Sequence, residues 1–283
     1  MTASPLNFSI VTPSFEQLDW LRLALASVAD QERVKVEHIV QDAGSKGIES
    51  FQQAGDAEHK AKIFVEKDAG MYDAVNRGLK KASGEICGYL NCDEQYLPGA
   101  LQKVAGFFDR HPEVEVLFGD LILVNAEGKP ISYRRSILPS KTHVRFSHLN
   151  TGTCATFFRR RLLERGFYFD PQWKTIGDAV WVEKLLNERI KMATLPEPLA
   201  VFTMTGQNLG SSNVSEDEVS RWKGQNYSAK PVRRAMIVLW HRIQKALAGA
   251  YKHRRVEVDI FTSESPTQRR RFAQDKVGFF WPA

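Results

Sequence analysis

Residues 64–94, FVEKDAGMYDAVNRGLKKASGEICGYLNCDE, constrain the fold of this chain more than any other stretch. They read as a strand end, a loop Lys67-Asp68-Ala69-Gly70, a helix from about Met71 to Ala82 stopped by Ser83-Gly84, and a second strand from Ile86 to Leu90. That second strand is a continuous apolar run, the pattern of a strand covered on both faces. It delivers Asn91, Cys92, Asp93 and Glu94 to the carboxyl end of a sheet, where open α/β sheets bind their ligands. Two adjacent carboxylates in such a place are unfavourable unless a cation or a partner neutralises them. A hard divalent metal bridging a diphosphate meets that need with oxygen ligands alone. An acidic pair ahead of Pro98 also fits a helix N-terminus, which accounts for Glu94 or Gln95 but not for the block before them.

The preceding residues repeat the same rhythm. Phe8 to Val11 is a short apolar strand ended by Thr12-Pro13-Ser14, and Leu18, Leu21, Leu25 and Val28 stripe a helix from Glu16 to Ala29. Val36 to Val40 is a second strand closing on Gln41-Asp42-Ala43-Gly44-Ser45, and a short helix precedes the strand Lys62 to Glu66. Such alternation predicts βαβ units and an α/β fold around a mostly parallel sheet. After a helix from Pro98 to Arg110 the pattern turns mixed. A hairpin is expected around Asn125-Ala126-Glu127-Gly128, then a strand Thr153 to Arg159, a helix Asp178 to Glu188, and short strands Lys191 to Leu195 and Leu199 to Met204. The expected division is a domain over 1–228, with halves 1–110 and 111–228, a basic helix over 229–255 and a tail over 256–283.

This block resembles the family 2 glycosyltransferases, inverting enzymes of the GT-A fold. The likeness is carried by Asp68/Gly70, Ala74/Asn76/Gly78, Gly84/Glu85 and Leu90-Asn91-Cys92-Asp93-Glu94, and extends more loosely over residues 7–205. It implies a GT-A, Rossmann-like sheet whose first half holds a nucleotide-diphosphate sugar and whose mixed α+β second half holds a glycan or lipid-linked acceptor. Thr12, Pro13, Ser14 and Glu16 then lie over the nucleoside, and Asp42 accepts from the base. A carboxylate only accepts, so it selects a ring N–H such as that of uracil. Asp68, Asn91 and Cys92 join the nucleotide side. Asp93, helped by Glu94, becomes the ligand of Mn²⁺ or Mg²⁺. Helix capping at Ser14 and an Asx-turn at Asp42 are the plainer readings of those residues.

Inverting transfer needs a general base for the acceptor hydroxyl. The segment Thr175-Ile176-Gly177-Asp178-Ala179-Val180-Trp181 resembles the family's D-x-x-W/F segment, which makes Asp178 the candidate base. A helix N-terminus there favours the ionised carboxylate. Trp181 is either a sugar platform or a core residue. The segment Thr153-Cys154-Ala155-Thr156-Phe157-Phe158-Arg159-Arg160 departs from the family's H-Q-x-x-F-x-R-R by replacing the His-Gln pair. Asn91 likewise stands where the acidic motif begins. Both departures keep a silent, membrane-bound scaffold or glycan binder as an alternative. A sugar nucleotidyltransferase is disfavoured, because Thr12-Pro13-Ser14-Phe15 is not a Gly- and Arg-rich loop.

The net charge of +6 is concentrated: residues 229–255 carry eight Lys/Arg and no Asp or Glu, and the remainder is close to neutral. A nucleic-acid surface spread over the fold is therefore not expected. From Val232 to Tyr251 apolar residues recur at helical spacing opposite Arg234, His241, Arg242 and Lys245, which reads as an amphipathic helix for an anionic membrane surface or for packing on protein. Three cysteines without metal-like spacing favour a reducing compartment. The opening MTASPLNFSI lacks the signature of a secretory signal, and no apolar run reaches the length of a membrane span. The expected location is cytoplasmic, peripheral on the inner face of the cell membrane.

Overall fold

A computed structural model of the chain describes residues 6–59, 61–206, 208, 213–224 and 231–281. The first half forms β1 (Asn7–Ser14), α1 (Leu18–Ala29), β2 (Lys35–Asp42), α2 (Ile48–His59), β3 (Lys62–Val65), α3 (Met71–Lys81) and β4 (Ile86–Tyr89). β5 (Glu94–Tyr96), α4 (Ala100–Arg110), β6 (Val116–Asn125), β7 (Pro130–Arg134) and α5 (Lys141–Phe146) follow. The second half continues with β8 (Thr156–Arg159), α6 (Arg161–Glu164), α7 (Gly177–Asn187) and β9 (Met192–Met204). α8 (Asn213–Gly224), α9 (Pro231–Leu247) and the strands β10 (Val256–Thr262) and β11 (Ser265–Gln274) complete the described elements.

Nine strands join in one sheet of order β3-β2-β1-β4-β8-β6-β9-β5, with β7 paired to β6. β1 to β4 run parallel to one another, as the alternating sequence requires. β8 enters antiparallel between β4 and β6, so the second half is mixed. Helices cover both faces. Val11, Cys87 and Tyr89 pack toward α3 and α7, while Phe8, Ile10 and Ile86 pack toward α1 and α4. Two buried faces explain why these strands read as unbroken apolar runs. Gly78 lets α3 lie directly on β1, since a Cβ there would come within 2.4 Å of Val11 Cγ1.

Several boundaries differ from the sequence expectation. β1 extends through Thr12-Pro13-Ser14 rather than ending before them, because β2 pairs with it as far as Ser14↔Asp42. β4 leaves β1 after Val11, so the missing N–H of Pro13 interrupts no ladder on that side. The expected strand from Thr153 starts instead with a 3₁₀ turn, Thr153–Ala155. The two short strands around Pro196 and Pro198 are one strand, β9, and a register break against β6 near Asp120 absorbs the extra residues. Tail residues Val256, Val258, Ile260 and Val277 bury against Ile122, Val124, Tyr133 and Val201 of the sheet.

α9 turns its apolar stripe outward, as the membrane-surface reading requires and packing of that stripe on the body does not. It buries His241 and Lys245 against the body and exposes Val232, Met236, Leu239, Trp240, Ile243 and Leu247. His241 stacks on His143 of α5 at 3.4 Å between ring centres. Burial and the nearby positive charge of Lys245 hold His241 low, at about 4, so this pair packs as neutral imidazoles. The exposed residues span only about 100° of the helix circumference. Lys230, part of the basic segment, lies outside the described residues. Among the described residues no helix is long and apolar enough to cross a membrane.

Candidate active site

The carboxyl ends of β1 and β4, the loop before α3, and the N-terminus of α7 surround a cleft of about 690 Å³. Pro13, Ser14 and Asp68 line it. Asn91, Cys92 and Asp93 line it after β4, and Asp178 joins them from the second half. Seven of the residues singled out from sequence therefore share one cavity. Thr12, Glu16, Asp42 and Glu94 are not on its wall.

Each of those four has a visible structural role. Thr12 is fully buried, its hydroxyl 2.9 Å from His38 Nε2. Asp42 is also buried; its Oδ1 accepts the N–H groups of Gly44 (2.9 Å) and Ser45 (2.7 Å), and its Oδ2 accepts from the Ser45 hydroxyl. This is the plain turn reading of Asp42, and it shapes the turn whose Ala43 does line the cleft. Glu16, at φ 52°, accepts the Lys46 N–H. Glu94 belongs to β5, wholly buried, and accepts the Asn91 N–H at 2.7 Å. It thus fixes the turn that presents Asp93.

Asp93 reaches the cleft, and Asn208 Nδ2 donates to its Oδ2 at 2.8 Å. Sequence reasoning missed Asn208, which follows β9 and is 115 residues away along the chain. Burial pushes Asp93 above the ordinary carboxylate range, and burial plus the Asp93 charge does the same to Glu94. Asn91 Oδ1 and Glu94 Oε1 are buried with no hydrogen-bond partner among the described residues. Unsatisfied oxygens beside a carboxylate that prefers to lose its charge suit a hard cation. The donor set fits a divalent metal at Asp93, with Glu94 set one layer behind. Cys92 donates its S–H to Pro13 O at 3.3 Å, and burial raises its thiol pKa, so it is a packing residue rather than a nucleophile.

Asp178 is the second residue of α7 rather than its cap, which is Ile176. Its Oδ1 accepts the Ala179 N–H at 2.8 Å, and its own N–H donates to the Tyr72 hydroxyl at 3.1 Å. Gly177 makes this approach possible: a Cβ there would lie 2.6 Å from the Tyr72 ring. The helix N-terminus was expected to favour the charged form. Burial outweighs it and raises the Asp178 carboxyl to about 6. The loop ahead of α7 is tied down by Glu218 of α8, which accepts the N–H groups of Lys174 (2.6 Å) and Thr175 (2.9 Å) and the Thr175 hydroxyl. Burial alone would raise Glu218, but these bonds hold it below the ordinary range. Lys174 in turn donates to Ala69 O, joining this loop to the one carrying Asp68. No sequence motif announced Tyr72, Lys174 or Glu218; only the fold brings them together.

The two-way reading of Trp181 resolves toward the core. It is 2% exposed, donates to Phe167 O, and stacks on Phe169.

The sequence profile of the family described as "Glycosyl transferase family 2" matches residues 9–167, more than half of the chain. An uncharacterized glycosyltransferase of Nostoc sp. is 24% identical over 271 residues, 89% of this chain and 82% of that protein. The minor teichoic acid biosynthesis protein GgaB of Bacillus subtilis is 23% identical over 68% of this chain, which spans only 22% of it. Among solved structures, S. aureus TarS 1–349 in complex with UDP-GlcNAc superposes with a TM-score of 0.62 at 19% identity, covering 85% of this chain and 72% of that one. The mannosyltransferase PcManGT of Pyrobaculum calidifontis, in complex with GDP-Man and Mn²⁺, gives 0.57 at 15% identity over 87% and 74%. At such identities the superpositions speak for the fold. Half the chain matched by one family profile, on a GT-A sheet with its cleft at the carboxyl strand ends, makes this chain a glycosyltransferase of family 2.

Proposed function

We propose that the chain is an inverting, metal-dependent glycosyltransferase that moves a sugar from a nucleotide-diphosphate sugar, of the uridine type, to a hydroxyl of a glycan or lipid-linked acceptor. One observation carries this reading: Asp178 and Asn91-Cys92-Asp93, far apart in the chain, line a single cleft. Pro13, Ser14 and Asp68 form the nucleoside end, while Asp42 shapes the turn behind it and Thr12 ties β1 to His38 of β2. Asp93 is the metal ligand, with Asn208 orienting it and Glu94 fixing its turn. A bound divalent ion there would offset the charge that grows on the departing diphosphate. The structural neighbours solved with UDP-GlcNAc and with GDP-Man and Mn²⁺ support a nucleotide sugar and a metal as ligands of this fold.

Asp178 removes the proton from the acceptor hydroxyl as that oxygen attacks the anomeric carbon. A carboxyl near 6 is largely ionised at neutral pH and retains more basicity than an exposed Asp. Tyr72 and the α7 N-terminus hold it in place. A purified Asp178→Asn protein should bind the nucleotide like the wild type and lose sugar transfer. Transfer at the wild-type rate would remove Asp178 from the mechanism.

α9 supplies the membrane side of the reading. Its exposed stripe of Val232, Met236, Leu239, Trp240, Ile243 and Leu247 is flanked by Arg233 and Arg242, the layout of an interfacial helix. Each basic residue near an anionic surface contributes on the order of 1 kcal/mol. Peripheral attachment to the inner membrane face would bring a lipid-linked acceptor to the cleft. GgaB, whose name places it in teichoic acid biosynthesis, is a relative consistent with work on cell-surface polymers.

A further inference from the structure

The segment after β11 does more than close the fold. Gly278 O accepts the Tyr133 N–H at 3.0 Å, and the Gly278 N–H donates to Ile131 O at 2.9 Å. Ser132 Oγ donates to Phe280 O at 2.7 Å, and Arg134 Nη1 donates to Phe279 O at 2.8 Å. Residues 278–280 thereby run along β7, joined to it by one parallel bridge between Ser132 and Gly278. Their course ends at the cleft, where Trp281 forms part of the wall.

Trp281 is held in a defined place. Its ring packs edge-on against Phe202 of β9 at 5.0 Å between centres, and the Arg134 guanidinium lies 5.9 Å from its centre. Phe202 directly precedes Thr203, whose N–H donates to Asp93 O at 3.2 Å. The indole is therefore tied through one neighbour to the residue proposed to carry the metal. Yet it remains 47% exposed, while Trp173, Trp181 and Trp222 are at 5% or less. The indole is anchored by Phe202 and Arg134 and keeps nearly half of its surface open beside the cleft, room for a partner that suits a flat apolar ring. The C–H face of a pyranose is such a partner, and the hydroxyls at the ring edge stay free for polar groups.

We infer that Trp281 is a stacking platform for a pyranose ring of the acceptor, so that the C-terminal segment builds part of the acceptor subsite. The inference rests on the proposed sugar transfer for the word acceptor, and on the cleft geometry alone for sugar binding. Pro13 and Ser14 end β1 and Asp68 lies in the loop before α3, whereas Trp281 reaches the cleft along β7, so the proposed nucleoside end does not include it.

Saturation-transfer NMR on the full chain tests this, with UDP and Mn²⁺ present and methyl glycosides of glucose, galactose and N-acetylglucosamine as probes. At least one methyl glycoside should bind the wild type, bind Trp281→Phe similarly, and bind Trp281→Ala up to about tenfold more weakly. The affinity for UDP, and the ratio of UDP-sugar to UDP affinity, should be the same in all three proteins. Binding of no methyl glycoside, or equal binding by Trp281→Ala, would overturn the platform. A selective loss of UDP-sugar affinity in Trp281→Ala would overturn its assignment to the acceptor. If UDP itself fails to bind the wild type, the donor reading falls, while the methyl glycoside comparison still decides whether Trp281 holds a sugar.

Discussion

Replacing Asp178 by Asn should make the protein more stable above neutral pH while removing its activity. Burial raises this carboxyl from the ordinary 3.8 to about 6. The folded protein then binds a proton between those values that the unfolded chain has already released. Wild-type stability from this group is highest below pH 4, falls as the pH rises through that window, and stays reduced above about 6. A pKa difference of roughly 2, at about 1.4 kcal/mol each, amounts to about 3 kcal/mol, an upper value because the group opens onto a wet cleft. Asparagine keeps the acceptor for the Ala179 N–H and stays neutral throughout. Urea unfolding of both proteins from pH 4 to pH 8 should give curves that coincide at the acid end and separate by about 2–3 kcal/mol at the alkaline end. An Asn variant equal to or weaker than the wild type at pH 8, or a gap that does not narrow on acidification, would refute the claim that Asp178 is strained by burial. The wild-type pH–rate profile should show an acid limb near 6, and the Asn variant should show no transfer at any pH.

Glu218→Ala should leave the Lys174 and Thr175 N–H groups without their acceptor, lowering stability by about 1–3 kcal/mol. Transfer rate should fall while UDP affinity holds, with Glu218→Gln recovering part of the loss. Gly177→Ala should destabilise by about 1–3 kcal/mol, seen in the same urea curves, because its Cβ would meet the Tyr72 ring at 2.6 Å. Trp240→Glu on the exposed stripe of α9 should change stability by less than about 0.5 kcal/mol. It should nonetheless reduce co-sedimentation with anionic liposomes; equal sedimentation would detach α9 from the membrane reading. Point changes are the sound test, since removing everything after 228 would also remove β10, whose Val258 and Ile260 are buried in the core.

Much of the fold is legible because its signal is local. The apolar runs of β1, β2 and β4, the stripe of α1 and the glycine stop after α3 each report a neighbour-scale preference, and the hairpin at Asn125–Gly128 follows from its turn residues. The strand order with β8 inserted between β4 and β6 is not local, and no spacing in the chain encodes it. The same division runs through the site. Asp68, Asn91, Asp93 and Asp178 stand in motif-bearing segments, whereas Asn208, Tyr72 and Glu218 act on them from distant positions. Asp178 shows a third limit. Its place at a helix start is readable, but the burial that overrides the helix field comes from tertiary packing, as does its contact with Tyr72, over a hundred residues away. In α9 the sequence shows two faces, and only packing reveals that His241 and Lys245 take the inner one.

The central claim is that the cleft binds a nucleotide diphosphate through a metal held at Asp93. Calorimetric titration of the full chain with UDP, GDP, dTDP and CDP, with and without Mn²⁺, tests it most directly. The account predicts that UDP binds with Mn²⁺, binds far more weakly without it, and loses the metal-dependent part in Asp93→Ala. Binding of none of the four, or Mn²⁺-dependent binding unchanged in Asp93→Ala, would contradict it.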